Sequence, residues 1–154
     1  MLPRRYAALN CSIARSLEIV GDRWTMLVLR NALVGQTRFE QFATSLGVAS
    51  NVLTDRLARL TDEGIVERRA YQEKPVRHEY VITEKGRELW PVLVALVDWG
   101  DRHHAPDGPP RLVVHAGCGG RLRQHLTCAD CGAEVSTDAI DTRPGPGSVI
   151  GSAS

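Results

Sequence analysis

The sequence comprises 154 residues, with 19 Lys and Arg against 18 Asp and Glu and a formal net charge of +1. This length suits one main domain of roughly 100 to 150 residues with a small appendage. The balanced charge shows no overall basic excess that would indicate a nucleic-acid partner, and the sequence has no acidic run that would indicate a basic partner. Any case for nucleic-acid binding therefore depends on local placement of charge.

The chain contains no hydrophobic stretch of membrane-spanning length. Its longest apolar run, residues 92–97, is far too short to cross a bilayer, and the first ten residues contain no apolar run typical of a signal peptide. We therefore expect a cytoplasmic protein with no membrane partner. Thiols stay reduced in that compartment, so closely spaced cysteines favour metal or redox chemistry over structural disulfides.

Two helices are predicted near the start of the chain. Ser12 is placed to cap a helix over residues 12–20, and Asp22 is placed to cap an apolar helix that begins at Trp24 and continues to Leu33. Short polar side chains before an apolar run accept hydrogen bonds from the first free backbone N–H groups of a helix.

The next two helices form a helix-turn-helix pattern. Thr37 and Glu40 fit a capping box that opens a third helix over residues 38–46, and a fourth helix is predicted from Ser50 to Gly64. A short connection around a glycine joins them, which is the arrangement whose second helix enters the DNA major groove. The apolar face of the fourth helix consists of Leu53, Leu57 and Leu60.

A β-hairpin is predicted directly after this pair of helices. Two segments rich in Val, Ile and Tyr, residues 65–71 and 77–83, are separated by turn-compatible residues 72–76. A hairpin in this position is the wing of a winged helix-turn-helix.

A long helix is predicted from a cap at Thr83 to about His103, with a kink at Pro91 because proline removes a backbone donor. Its apolar residues cover too wide an arc for the surface of a monomer, which predicts a partner subunit. They are Leu89, Val92, Leu93, Leu96, Val97 and Trp99.

The chain organisation follows from composition. A winged domain over residues 1–105 precedes a linker at 106–110 that is rich in proline and glycine. A cysteine-rich segment occupies 111–142, and residues 143–154 have the composition of a mobile tail. The predicted fold is mainly α with a small β-wing (α+β), followed by a small β-rich, zinc ribbon-like appendage.

An ordered set of fragments over about residues 11–103 resembles the HxlR-type winged helix-turn-helix regulators of the MarR-like class. The set comprises Cys11 to Trp24, Leu53 to Leu57, Gly64 to Arg68, Pro75 to Tyr80, Thr83 to Gly86, and Trp99. The resemblance implies a dimeric bacterial-type transcriptional regulator in which the first and last helices of the domain form the dimer interface. It does not imply a metal site, so the cysteine-rich segment is an extension.

Candidate DNA contacts lie on the fourth helix, at the start of the third helix and on the wing. Hydroxyls and amides contact base edges or phosphates, and cationic side chains neutralise phosphate. A solvated surface with balanced charge is the alternative interpretation. The candidates are Ser50, Asn51, Thr54 and Asp55 on the fourth helix, Arg38, and Arg69, Lys74, Arg77 and His78 on the wing.

A metal site is predicted in the extension. His115 and Cys118 have the same spacing as Cys128 and Cys131, and a glycine follows each pair. Three thiolates and one imidazole suit tetrahedral zinc, and a closed four-ligand set favours a structural over a catalytic ion. A redox disulfide between Cys128 and Cys131, or merely buried thiols, are the alternatives, and His125 is a spare ligand candidate.

Cys11 stands just before the first helix, where the helix dipole and Arg15 could lower the thiol pKa. Some members of the HxlR family are similar in using a cysteine at this place to sense oxidants or electrophiles. The alternative is a small residue packed in a dimer interface.

These observations predict a homodimeric, sequence-specific regulator that binds double-stranded DNA at a palindromic operator, with structural zinc in its extension. A first alternative is a metal- or redox-responsive sensor in which Cys11 or the zinc site switches DNA affinity, and a small-molecule or oxidant effector belongs to that interpretation. A second alternative is a protein-interaction module. An enzyme is disfavoured because the sequence offers no paired nucleophile and base.

Overall fold

The computed structural model describes residues 10–148. The chain divides into two compact units, Met1–Trp90 and Pro91–Ser154. The last predicted helix therefore groups with the C-terminal segment, whereas the sequence suggested a boundary after residue 105. The first nine residues and the end of the predicted tail, 149–154, lie outside the described part of the chain.

Helix α1 spans Ser12–Val20, and helix α2 spans Arg23–Leu33. The predicted cap at Asp22 is confirmed, since its side chain accepts hydrogen bonds from the backbone N–H groups of Trp24 and Thr25. The predicted cap at Ser12 is wrong: Ser12 already belongs to the helix, and the cap position is the extended residue before it, which makes no side-chain cap.

Helix α3 spans Phe39–Leu46, and helix α4 spans Ser50–Asp62. Gly47 ends α3 with φ +60°, a left-handed conformation that turns the chain sharply into α4 and that side chains with a Cβ rarely adopt. The helix-turn-helix is thus formed as predicted.

The capping box predicted at Thr37 and Glu40 is wrong. Arg38 occupies the cap position, and the Gln41 side-chain oxygen accepts hydrogen bonds from the backbone N–H groups of Arg38 (2.9 Å) and Thr37 (3.0 Å). Thr37 is unavailable as a cap because its backbone pairs with the wing, where its carbonyl accepts from the Tyr80 N–H at 2.7 Å. The helix therefore begins one residue later than the motif requires.

The core of the first unit lies beneath α2, α3 and α4. The predicted leucine stripe of α4 is confirmed, because all three leucines are fully buried. Burying such side chains stabilises a fold by roughly 1.5 to 3 kcal/mol each. The largest fully buried residues are Phe42, Leu29, Leu53, Leu57, Leu60, Val28, Val66 and Thr25.

The wing is an antiparallel hairpin of β1, Val66–Glu73, and β2, Val76–Ile82. Both strands extend further toward the turn than predicted, so that Lys74 and Pro75, joined by a cis peptide bond, form the connection. The register is interrupted at residue 71, which places Tyr71 in a bulge.

Two helices replace the single long helix predicted after the wing. Thr83 Oγ1 accepts from the Gly86 N–H and caps α5, Glu84–Arg87, as expected, whereas α6 is a separate helix, Trp90–His104. Pro91 does not kink a helix interior, because it lies in the first turn of α6, where its missing N–H has no helical partner to lose.

The C-terminal segment is irregular. It was predicted as β-rich, yet within the described residues its β structure consists of two isolated antiparallel bridges, Val114 with Arg121 and Thr127 with Glu134. A 3₁₀ turn at Thr137–Ala139 follows them. No side chain between residues 105 and 148 is buried, so this segment has no hydrophobic core of its own.

Candidate nucleic-acid interface

The exposed face of α4 carries the predicted recognition residues. Ser50, Asn51, Thr54 and Asp55 are all exposed, on the side of the helix opposite the buried leucines. The Thr54 hydroxyl donates to the Ser50 carbonyl at 2.8 Å, which leaves its oxygen as an acceptor for an incoming group. The face therefore offers both hydrogen-bond donors and acceptors at the N-terminal half of the helix, the part that reaches base edges in helix-turn-helix proteins.

Asp55 is held by the next residue along the helix. Arg56 Nη1 donates to Asp55 Oδ2, and Arg56 Nε donates to Asp22 Oδ1 at 2.9 Å. Burial by itself would raise the pKa of Asp22, but hydrogen bonds from the Thr25 backbone and the Arg56 side chain outweigh it and lower that pKa. Neither Asp22 nor Arg56 was predicted to contribute to the interface.

Arg38 lies at the junction of the helix-turn-helix and the wing. Arg38 is exposed, and its backbone forms an isolated antiparallel β-bridge with Glu79 of β2. Its guanidinium lies 4.7 Å from the centre of the Tyr71 ring. A cation over an aromatic face is held by electrostatic attraction to the ring. The start of α3 and the wing thus meet where Arg38 contacts Tyr71, and the sequence position of Tyr71 gave no sign of this contact.

The wing cations differ in how they are paired. Arg69 forms an exposed ion pair with Glu67 at 2.7 Å, which lowers the pKa of Glu67 and raises that of Arg69. Lys74 and Arg77 are exposed, and no residue in the described part of the chain forms an ion pair with either.

His78 lies beside Arg68, a cation that was not among the predicted DNA contacts. Its Nδ1 lies 3.1 Å from Arg68 Nη2, and both line an open pocket of about 270 Å³ on the wing. Aromatic rings of Phe39, Tyr71 and Tyr80 line the same pocket. The available signal for Arg68 was its position next to Arg69 in β1: consecutive strand residues face opposite sides, so each side of the hairpin receives one of the two arginines.

The four predicted metal ligands form two turns of equal geometry. In each turn a glycine with φ near +72° donates its N–H to the carbonyl of the first ligand: Gly119 to His115 at 2.8 Å, and Gly132 to Cys128 at 2.9 Å. His115 Nδ1 lies 3.3 Å from Cys118 Sγ. Each turn thus brings together the two ligands of its own pair.

The two pairs are not gathered into one cluster. Among residues 10–148, no group of three or more His, Cys, Asp or Glu side chains is positioned to hold an ion. Backbone N–H groups of Cys131 and Asp130 donate to the Cys128 sulfur and lower the pKa of that thiol, which favours the thiolate that zinc requires. His125, the spare candidate, pairs with Glu134 at 2.6 Å.

Cys11 is exposed at the cap position of α1. Arg15 Nη2 donates to the side-chain oxygen of Asn10 at 2.6 Å.

Two helices carry exposed apolar side chains of the kind predicted for a dimer interface. On α1, Ile13 is 71% exposed and Leu17 is 49% exposed. On α6, Leu96 and Trp99 are more than half exposed, whereas Leu93 is buried. Each helix therefore presents apolar surface that its own unit leaves uncovered.

The helix-turn-helix, its exposed polar helix and the attached wing define a winged helix-turn-helix protein. The HxlR-like helix-turn-helix family matches residues 19–107, which is more than half of the chain. The chain belongs to this family and is a transcriptional regulator with a helix-turn-helix DNA-binding fold, not an enzyme. Among the described residues, no helix is long and apolar enough to cross a membrane.

The chain is similar to three further proteins. An HTH-type transcriptional regulator of Mycobacterium tuberculosis (strain H37Rv) is 42% identical over 137 residues, covering 88% of this chain and 87% of that protein. The crystal structure of PA1607, a proposed transcription factor, has a TM-score of 0.78 at 35% identity and covers 88% of this chain and 96% of the other. The redox regulator HypR in its oxidised form has a TM-score of 0.56 at 29% identity, covering 61% and 98%.

The first two similarities extend beyond the winged domain. A match of 137 residues cannot fit within residues 1–110, so the mycobacterial relative aligns with part of the cysteine-rich extension. The similarity to HypR covers 61% of this chain, which is no more than the length of the winged domain.

Proposed function

We propose that this regulator binds double-stranded DNA as a homodimer at a palindromic operator, with α4 in the major groove and the wing on the flanking backbone. The observation that carries the proposal is the division of α4 into a fully buried leucine stripe and an exposed polar face. Two copies related by a two-fold axis present two such helices, so half-sites lie about one helical turn or a multiple of it apart.

The test is selection of sites from random duplex DNA, followed by affinity measurements at several salt concentrations. The expected result is an inverted repeat, with affinity that falls steeply as salt rises because bound phosphates release counterions. Asn51→Ala is expected to relax base preference at one position of the operator. Lys74→Ala is expected to lower the affinity for all duplexes equally, whatever their sequence. Salt-independent or absent DNA binding contradicts the proposal and favours a protein-interaction module.

The homodimer is supported by the exposed apolar residues of α1 and of α6. Leaving such surface in water is unfavourable by roughly 25 cal/mol per Å² of apolar area, and a second copy of the same chain removes it from water.

Structural zinc in the extension is part of the same proposal. Its support is chemical and geometric: a Cys₃His donor set, two turns of matching backbone geometry, and a segment without buried side chains. His115, Cys118, Cys128 and Cys131 would hold the ion, which requires the two turns to approach each other. Zinc binding would supply the folding free energy that this short segment lacks.

Metal analysis of the purified protein tests the zinc proposal. We expect about one zinc per chain, lost on chelation and absent from the variant Cys118→Ser/Cys131→Ser, with operator affinity unchanged. The matched control is Cys11→Ser, which keeps its zinc. A metal-free wild-type protein contradicts the proposal.

A sensor function is the second candidate. The similarity to the redox regulator HypR and the exposure of Cys11 favour it. Oxidant would then change operator affinity in the wild type but not in Cys11→Ser, with an oxidant as the effector. Chelation that changes affinity while the winged domain stays folded would instead assign sensing to the metal.

A further inference from the structure

Arg56 connects two carboxylates that lie on different helices. Its Nε and Nη2 donate to the two oxygens of Asp22 at 2.9 and 3.3 Å, and its Nη1 donates to Asp55 Oδ2. The Arg56 side chain is only 13% exposed, whereas that of Asp55 is 54% exposed. The guanidinium thus lies behind the exposed face of α4 and connects it to α2.

Asp22 is a rigid anchor for this guanidinium. Its Oδ1 also accepts hydrogen bonds from the backbone N–H groups of Trp24 (2.9 Å) and Thr25 (3.2 Å), which fixes the carboxylate at the start of α2. A planar guanidinium held by two nitrogens on one carboxylate has a set orientation. Its third nitrogen therefore sets the orientation of Asp55.

A carboxylate on a DNA-facing surface is unfavourable near phosphate unless it has a specific partner. Pairing with Arg56 offsets the charge of Asp55 while engaging only one of its oxygens. In the described part of the chain, no hydrogen bond reaches Asp55 Oδ1. An ionised carboxylate is an acceptor only, and the matching donor in the major groove is the N4 amino group of cytosine.

The geometry points to Asp55 as the residue that reads cytosine, with Arg56 and Asp22 as positioning residues that set the direction of its carboxylate. This inference rests on the proposed DNA-binding function. Asp22, the cap residue of α2, thereby influences base preference through Arg56 and Asp55.

Site selection and competitive binding test this assignment with the full-length wild type, Asp55→Asn and Asp22→Asn. The wild type is expected to select cytosine at one position of each half-site. Asp55→Asn replaces the acceptor-only group with an amide. The ratio of affinities for cytosine over the other bases is expected to fall about 5- to 10-fold in this variant. Retention of the cytosine preference in Asp55→Asn overturns the assignment.

Asp22→Asn separates positioning from helix capping. Asparagine caps a helix about as well as aspartate, but without charge it holds Arg56 less firmly. We expect it to lower cytosine preference severalfold in the wild-type background and to have no further effect when Asp55 is already Asn. Equal losses in both backgrounds overturn the positioning role.

A stability control completes the test. Val28→Ala creates a cavity in the core next to α2 and leaves the three charged residues themselves unchanged. It is expected to lower the free energy of unfolding and leave cytosine preference unchanged. If it lowers that preference as much as Asp22→Asn does, the effect of Asp22 is general destabilisation. If the wild type selects no sequence at all, the proposed function fails as well, which is a different outcome from specific binding without cytosine preference.

Discussion

Gly86, the second-last residue of α5, lies closer to its neighbours than any other residue type allows. A Cβ atom there would lie 2.4 Å from the Ile65 carbonyl oxygen and 2.4 Å from Ile82 Cδ1. The backbone oxygen cannot yield without moving the start of the wing. A single hydrogen atom at this position is therefore required for close packing of α5 on the hairpin.

Gly86→Ala is expected to lower the free energy of unfolding by about 1 to 3 kcal/mol through overpacking, measured by urea denaturation. Gly100→Ala is the matched control, because outside the adjacent residues and the helix's own backbone no atom of the same chain lies within 4 Å of a Cβ at that position. The control should be neutral or stabilise by up to about 1 kcal/mol. Similar behaviour of the two variants would contradict the packing argument.

The acid dependence of stability gives a second test at the residue scale. The lowered pKa of Asp22 means that its charge stabilises the fold above the unfolded pKa of about 3.9, and that this contribution is lost as pH falls through the folded pKa. Solvent screening limits it to about 1 kcal/mol or less. We expect the stability difference between wild type and Asp22→Asn to narrow below about pH 3.9 in urea titrations. A difference independent of pH would contradict a charge-based role.

At the scale of elements, the wing combines paired and unpaired cations. Arg69 is neutralised locally by Glu67, whereas Arg77 has no ion-pair partner within the described residues. Contact with phosphate therefore releases more counterions at Arg77, because Arg69 must first give up its own partner.

Arg77→Ala is expected to reduce the slope of log affinity against log salt concentration by about 1, and Arg69→Ala to reduce it less. Filter binding or fluorescence anisotropy across a salt series measures both slopes. Equal reductions would show that the Glu67 ion pair does not limit Arg69 on DNA.

The predicted and observed helix boundaries agree where the signal is local and differ where it is not. The leucine stripe of α4 and the cap at Asp22 were predicted correctly, because each signal acts within a few residues. The start of α3 was predicted incorrectly because the backbone of Thr37 is engaged by Tyr80, a residue that the local motif does not include. The break before α6 was missed for a different reason: a proline is as compatible with the first turn of a new helix as with a kink inside a long one.

At the scale of the whole molecule, α6 groups with the C-terminal segment through a small charged cluster. Arg121 Nη2 lies 3.0 Å from Asp101 and 3.5 Å from Asp98, and Asp98 also accepts from the Gln124 N–H at 3.1 Å. The proposed zinc turn around Cys118 is thereby attached to the helix that carries exposed Leu96 and Trp99.

Leu96→Asp is expected to convert the proposed dimer to a monomer, because it places a charge in an interface that excludes water. Sedimentation equilibrium measures the change, and operator affinity should fall because a monomer engages one half-site. Val76→Asp is the control for the association state only, since this residue is 62% exposed on the wing, where a new carboxylate also opposes DNA binding. An unchanged association state of Leu96→Asp would exclude α6 from the interface.

The sequence by itself determined the helix-turn-helix, its buried and exposed faces, the wing and the two matching turns of the extension. Periodicity, capping and turn formation depend on residues only a few positions apart, so the sequence alone is enough to predict them. Only the tertiary structure decided that Arg56 joins Asp22 to Asp55, that Arg38 lies over Tyr71, and that α6 belongs with the extension. These contacts join residues distant in sequence or depend on how one helix is oriented against another, and no local pattern encodes that geometry.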